Sequence, residues 1–128
     1  QMSIMPYLDA SPLYNSINMN IPWDHPPNAD LFHVYYLTYL SPFISEKGDR
    51  EGFGLTHYSA NSHLFFENSS TKIGDITDGT MQTILVGEIA AGFPPYAKPG
   101  NWRDPALGLH FDEKTFGRPT GDGAIRAF

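Results

Sequence analysis

The sequence contains no cysteine among its 128 residues. This absence excludes disulfide bonds, thiolate catalysis and metal sites with cysteine ligands. Basic side chains are also scarce, because 8 Lys and Arg stand against 14 Asp and Glu and give a formal charge of −6. Nucleic-acid binding needs clustered Lys and Arg to neutralise phosphates, and those present here are scattered along the chain. No nucleic-acid partner is therefore expected.

Long apolar runs and catalytic motifs are absent as well. No stretch reaches the roughly 18 apolar residues of a membrane span, and no charged and then apolar leader opens the sequence. The sequence also lacks a Gly-x-Ser-x-Gly motif and a Gly-rich phosphate loop. We therefore expect a non-enzymatic protein without an organic cofactor.

Proline, glycine and aromatic residues are abundant. The 11 Pro and 12 Gly predict many turns and irregular connections, and the length predicts one domain over residues 1–128. The aromatic set comprises nine Phe, seven Tyr and two Trp, which is more than a small core easily hides. Some of these side chains are therefore expected at an interface.

The chain is organised around the stretch from Ile73 to Ala90. Asp75, Thr77, Asp78 and Gly79 form a polar cluster in which Asp-Gly predicts a chain reversal. The following residues, 83–90, are β-branched and apolar with little alternation. This pattern predicts the central strand of the sheet, buried on both faces.

Two motifs in this stretch carry a resemblance. The run D-I-T-D-G-T at 75–80 and the run T-I-L-V-G-E at 83–88 resemble the DITDGTSNTILVGE signature of the DUF1559 family. This family, also called SBP_bac_10, comprises planctomycete prepilin-like proteins. Met81-Gln82 replaces the usual Ser-Asn.

Further motifs in the expected order extend the resemblance. The opening, with M-P-Y-L-D at 5–9, L-Y-N at 13–15, P-W-D at 22–24 and Asn28, is similar to the family's LPYLEQ, LYNQ, PWD and N pattern. The closing run D-G-A-I-R-A-F at 122–128 resembles the family's DGSVRF. The family places a His nine residues before this Asp-Gly, a spacing that is not kept here because eleven residues separate His110 from Asp122.

The resemblance implies a fold and a setting. It implies a pseudopilin-like α+β domain in which a twisted, mostly antiparallel sheet carries one or two short helices and long Pro/Gly loops. It implies an apolar N-terminal helix upstream of Gln1, through which alone the protein would meet a membrane. It also implies an extracytoplasmic structural or assembly protein, at the periplasm or cell surface, that docks on a protein partner, a homo-oligomer or a larger complex.

Local patterns place the remaining elements. Ser11 and Pro12 predict the start of a helix over about 12–19, whose apolar face of Leu13, Tyr14 and Ile17 should pack on the sheet. Asn28 or Asp30 can begin a second helical turn. Residues 32–43 favour a short helix passing into a strand, 44–54 a mobile connection or partner-contact loop, and 55–66, 107–111 and 124–128 extended segments.

Asp75, Asp78 and Asp122 form a candidate calcium site. With the Thr77 hydroxyl and the turn carbonyls they supply the hard oxygen ligands that Ca²⁺ prefers. The alternative is that Asp and Thr only cap the turn, as their side chains commonly do. No twelve-residue calcium-loop pattern decides between the two interpretations.

Trp23, Trp102 and Glu88 form a candidate small-ligand site, which would make the protein a solute-binding module instead. A pocket with a few converging polar groups would be required. The alternative is that each tryptophan anchors its Pro-rich loop to the core and that Glu88 pairs with Arg103 or Arg126. The histidines, including His57 and His63, are interpreted as hydrogen-bonded structural residues rather than metal ligands.

Overall fold

The computed structural model describes residues 2–77, 79–105 and the backbone of 125–126. These residues form two compact units that are each discontinuous in sequence. The first unit runs to His57 and includes Phe93–Pro99, and the second contains Tyr58–Gly92 and the described residues from Gly100 onward. The expectation of a single domain over 1–128 stays a prediction.

Short helices and turns build the first unit. A 3₁₀ helix at Met2–Tyr7 is followed by α1 at Ser11–Ser16, α2 at Asn28–Leu31 and a 3₁₀ turn at Leu37–Tyr39. Ser11 and Pro12 start α1 as predicted, but Ile17 is already extended and ends the helix before Met19. The Ser11 side chain does not cap the helix, since its hydroxyl donates to the Pro6 carbonyl.

An aromatic and aliphatic core fills the first unit. Leu13, Tyr14 and Ile17 pack on it as one face of α1, so the predicted face is right but its partner is this core and not the sheet. The buried residues of this core are Met5, Ala10, Ala29, Phe32, Tyr39, Phe53, Tyr96 and Ala97.

The second unit contains a four-stranded sheet, which makes the fold α+β as expected. The strands are β1 at Tyr58–Asn61, β2 at Val86–Ile89, β3 at Trp102–Arg103 and β4 at Ile125–Arg126, in the order β3-β1-β2-β4. β1 pairs antiparallel with β2, β2 antiparallel with β4, and β1 parallel with β3. The sheet is therefore mostly antiparallel, and 3₁₀ turns at Ile73–Asp75 and Thr80–Gln82 precede β2.

The interior position of β2 confirms the prediction for this stretch, but its length was overestimated. Gly79 has φ of +90° and begins the 3₁₀ turn, and the Thr83 hydroxyl donates to the Gly79 carbonyl. The backbone is extended from Thr83, but β2 begins only at Val86. Val86 is exposed and Gly87–Ile89 are buried, so burial holds only from Gly87 onward.

The predicted strand within 32–43 does not form. This segment follows the end of α2 at Leu31 and contains the 3₁₀ turn at Leu37–Tyr39. Its backbone bonds to several different segments instead of one neighbouring strand, as shown by the Gly54 amide on the Phe32 carbonyl and the His57 amide on the Tyr39 carbonyl. Among the described residues, no helix has the length and apolar character needed to cross a bilayer.

Candidate partner-binding surface

Four large apolar side chains are exposed on one short segment of the first unit. They are Val34, Tyr35, Leu37 and Phe43, which we call the apolar ledge. Leu37 is 75% exposed and Phe43 is 90% exposed. Exposed apolar side chains that cluster along one segment are typical of interaction sites in soluble proteins. The ledge is therefore our candidate functional site.

Close backbone contacts hold the first half of the ledge. The Gly54 amide donates to the Phe32 carbonyl at 2.9 Å, and a β-carbon at Gly54 would lie only 2.5 Å from the Val34 carbonyl oxygen. The Tyr35 ring lies against Gly48, since a β-carbon there would approach Cε1 of Tyr35 to 2.8 Å. Glycine at both positions is what lets the 48–54 loop approach this segment so closely.

Buried residues hold the second half of the ledge. Tyr39, Leu40 and Ser41 are buried between the exposed Leu37 and Phe43. The His57 amide donates to the Tyr39 carbonyl at 2.8 Å, and the Ser41 amide donates to Nδ1 of His57 at 2.8 Å. These contacts hold the backbone at Tyr39 and Ser41, between the exposed side chains of Leu37 and Phe43.

The sequence around the ledge contains few charges. No Asp, Glu, Lys or Arg occurs from Leu31 to Ser45, and no Lys or Arg occurs before Lys47. The charged residues of the first 46 positions are Asp9, Asp24, Asp30 and Glu46, which are all exposed. The rest of the first unit adds two carboxylates and three cations, so that six carboxylates stand against three cations in this unit.

Trp23 lies in the first unit, where it is half-buried and packs edge-on against Phe53 with ring centroids 5.1 Å apart. This contact is the anchoring role that the sequence predicted. Asp24 bonds to the His25 ring at 3.0 Å instead of to backbone amides, and this hydrogen bond lowers the pKa of the Asp24 carboxyl. Trp23 also lines an open cleft of about 390 Å³ together with Asp24, Asp49, Arg50, Glu51, Pro95 and Lys98.

Trp102 and Glu88 lie in the second unit and do not line that cleft. Trp102 belongs to the edge strand β3 and is 38% exposed, and its role as a loop anchor stays a prediction. Glu88 is buried on β2 opposite Tyr58, whereas Trp102 is opposite Ala60. They share a sheet face, but β1 lies between them and they are offset by two residues along it, so their backbones are about 12 Å apart.

The remaining sequence candidates fall near or outside the described residues. Glu88 is in register with Arg126 on β4, while the Arg103 side chain donates to the Ala91 and Gly92 carbonyls at 3.0 Å. The Asp75 carboxylate accepts from the Lys72 amide at 2.8 Å, which is the capping role weighed above. Asp78 and Asp122 lie outside the described residues. Among the residues that the structure describes, no three His, Cys, Asp or Glu side chains converge as a metal site would require.

A comparison with known protein families identifies the family of the chain. The sequence profile of SBP_bac_10, described as "Protein of unknown function (DUF1559)", matches residues 34–121. The chain belongs to the DUF1559 family. The match begins at Val34, so all four residues of the apolar ledge lie inside the DUF1559 region. No curated protein and no solved structure matches the chain.

Sequence reasoning did not single out the ledge, but its interpretation of His57 as a hydrogen-bonded structural residue is confirmed. The signal for the ledge was available in the uncharged and aromatic run 31–45, whose exposure no pattern of spacing reveals. His57 gave no local signal, because its bonding partners Ser41 and Glu46 precede it by 16 and 11 residues.

Proposed function

We propose that this DUF1559 protein is a non-enzymatic, extracytoplasmic structural or assembly protein that docks on a protein partner through the apolar ledge. The observation that carries the proposal is the 90% exposure of Phe43, two residues after Ser41, which is buried and hydrogen-bonded to His57. Keeping such a side chain in water forgoes about 2 kcal/mol of burial, which docking would recover. The pseudopilin-like character and the location follow from the family resemblance.

The partner that fits this surface carries apolar side chains flanked by Lys or Arg. The exposed carboxylates of Asp9, Asp30 and Glu46 would attract such a segment and steer its approach. The rings of Tyr35 and Phe43 can in addition accept cations on their faces. A second copy of this chain is disfavoured as the occupant, because two copies with a charge of −6 repel each other.

A peptide-binding experiment tests the proposal. Fluorescence anisotropy would compare a labelled peptide of alternating Leu and Lys with one of alternating Leu and Glu. We expect the Leu/Lys peptide alone to bind, and added salt to weaken its binding. The double variant Leu37→Ser/Phe43→Ser should bind at least about ten-fold more weakly, since two apolar anchors are lost.

Met81→Ser is the matched control for this experiment. Met81 is 99% exposed but lies in the second unit, so its loss should leave the affinity unchanged. Equal binding of both peptides, or equal losses in the ledge and control variants, would contradict docking at the ledge.

A small-ligand module is the second candidate, and the cleft at Trp23 favours it. The cleft combines an aromatic ring with the cations of Arg50 and Lys98 and the carboxylates of Asp24, Asp49 and Glu51. A ligand there would shield Trp23 and shift its fluorescence. A fluorescence titration with zwitterionic and neutral polar solutes tests this candidate. The candidate fails if no solute changes the fluorescence of the wild-type protein more than that of the variant Trp23→Phe.

A further inference from the structure

His57 is fully buried, and both of its ring nitrogens contact the backbone. Nδ1 lies 2.8 Å from the Ser41 nitrogen, and Nε2 lies 2.7 Å from the Glu46 carbonyl oxygen. An amide N–H can only donate and a carbonyl can only accept, so Nδ1 must be unprotonated and Nε2 must carry the hydrogen. The geometry therefore requires one tautomer of the neutral imidazole.

These two hydrogen bonds close a loop. Ser41 and Glu46 are the first and last residues of the segment 41–46, which presents Phe43 of the apolar ledge. The apolar ring of Phe93 packs against the imidazole, and the two ring centroids are 4.6 Å apart. One side chain thus holds both ends of the segment that carries the most exposed aromatic residue of the ledge.

Protonation would break one of these two contacts. An imidazolium donates from both nitrogens, so Nδ1–H would face the Ser41 N–H and neither group could accept. A buried donor without an acceptor costs about 1–3 kcal/mol, and more when the donor is charged. The Glu46 carbonyl could still accept, so the Ser41 end of the segment would be released first.

The charged and titratable groups on the contacting segments do not replace the lost bond. Tyr39 stays neutral, because burial raises its pKa to about 12. The Glu46 carboxylate is exposed and bonds to the Ser45 hydroxyl, and the exposed Lys47 next to it carries the opposite charge. Phe93 contributes no charge.

We propose that protonation of His57 releases the segment 41–46 and removes Phe43 from the apolar ledge, so that acid weakens docking. The loop release stands on the hydrogen-bond geometry alone, and its effect on docking rests on the proposed function above. The protonation state of His57 would then determine whether Phe43 belongs to the ledge, which makes this surface sensitive to acid.

Amide hydrogen exchange measured by NMR tests the release without any partner. The Ser41 amide reports on the switch, and the Gly54 amide, bonded to the Phe32 carbonyl at 2.9 Å, is the internal control. Between about pH 7.5 and pH 5, the protection of Ser41 relative to Gly54 should fall at least about ten-fold. A constant ratio would overturn the proposal, and so would a parallel loss at both amides, because that indicates global unfolding.

The variant His57→Gln supplies a second arm, since its side chain cannot titrate. Its ratio of Ser41 to Gly54 protection should not depend on pH, and a pH dependence equal to that of wild type would overturn the proposal. If this variant does not fold, the wild-type ratio still decides. The Leu/Lys peptide assay at about pH 7.5 tests docking separately, so failed docking and a failed switch give different results.

Discussion

Tyr39 and Tyr96 stack in the core of the first unit, with ring centroids 5.3 Å apart and ring planes inclined by 26°. Burial raises the pKa of both phenols to about 12. The Tyr36 phenol raises the pKa of Tyr39 further, and the phenols of Tyr39 and Tyr36 raise the pKa of Tyr96 further. A charged phenolate in this stack would lose its hydration.

The stack predicts a loss of stability in strong alkali. Both folded-state pKa values are raised above the ordinary value near 10, so the stabilising contribution is fully present below pH 10. It is lost as the pH rises from about 10 to 12, because only the unfolded chain readily releases these protons. Denaturant unfolding followed across this window should show the decline.

Tyr96→Phe is the matched control for this titration. The Tyr96 hydroxyl is buried without a hydrogen-bond partner among the described residues, so its removal should be neutral or stabilise by up to about 1 kcal/mol. The ultraviolet absorbance of the late-titrating phenols should fall by half in this variant. An unchanged late absorbance would contradict the assignment.

Gly54→Ala should destabilise the protein by at least about 2 kcal/mol. The added β-carbon would lie 2.5 Å from the Val34 carbonyl oxygen and 2.7 Å from Cε1 of Tyr96, and the backbone atom cannot move aside cheaply. Gly74→Ala is the control, since no atom lies within 4 Å of its β-carbon. It should be neutral or stabilise by up to about 1 kcal/mol. Equal free energies of unfolding for the two variants would refute this packing.

Asn28→Ala should cost about 3 kcal/mol of stability, because the buried Asn28 amide makes three hydrogen bonds to the loop backbone that would be lost together. The Asn28 side chain donates to the Asn18 and Ile21 carbonyls at 2.9 Å and accepts from the Asn18 amide at 2.9 Å. Asn20→Ala, in the same loop but exposed, should change the stability by less than about 0.5 kcal/mol. Thermal unfolding of both variants measures the difference, and a small effect at Asn28 would mean that the loop finds other partners.

Phe43→Ser should leave the free energy of unfolding within about 0.5 kcal/mol of wild type, because the side chain contributes little to the core. Phe32→Ser should cost at least about 3 kcal/mol, since this ring is buried and packs edge-on against Tyr96. Chemical denaturation of the two variants gives the comparison. A large loss at Phe43 would mean that the residue serves folding instead of docking.

The family and the general architecture could be predicted from the sequence because local patterns carry them. The Asp-Gly signal at Gly79 and the apolar run after it located β2. Asn28 or Asp30 was expected to begin a helical turn, and α2 begins at Asn28. The length of β2 could not be predicted, since its pairing with β1 starts only where Val86 lies opposite Ala60. Propensity alone does not reveal how far a neighbouring strand extends.

The candidate site was less predictable because distant contacts decide it. The ledge segment bonds to residues far along the chain, since the Gly54 amide donates to the Phe32 carbonyl and the His57 amide to the Tyr39 carbonyl. No spacing within the sequence shows which segment packs alongside. The bonds from the Glu51 and Phe53 amides to Oδ1 of Asp49 are local by contrast, and the interpretation of 44–54 as a mobile connection or partner-contact loop stays a prediction.

Photo-crosslinking in the cells that make the protein tests the central claim most directly. A p-benzoylphenylalanine at position 43 should give one discrete adduct with a partner protein, and Leu37→Ser in the same chain should lower its yield. The same probe at position 81, in the second unit, should give no such adduct. An adduct of equal yield from both positions, or none from position 43 while the protein is folded and correctly located, would contradict docking through the apolar ledge.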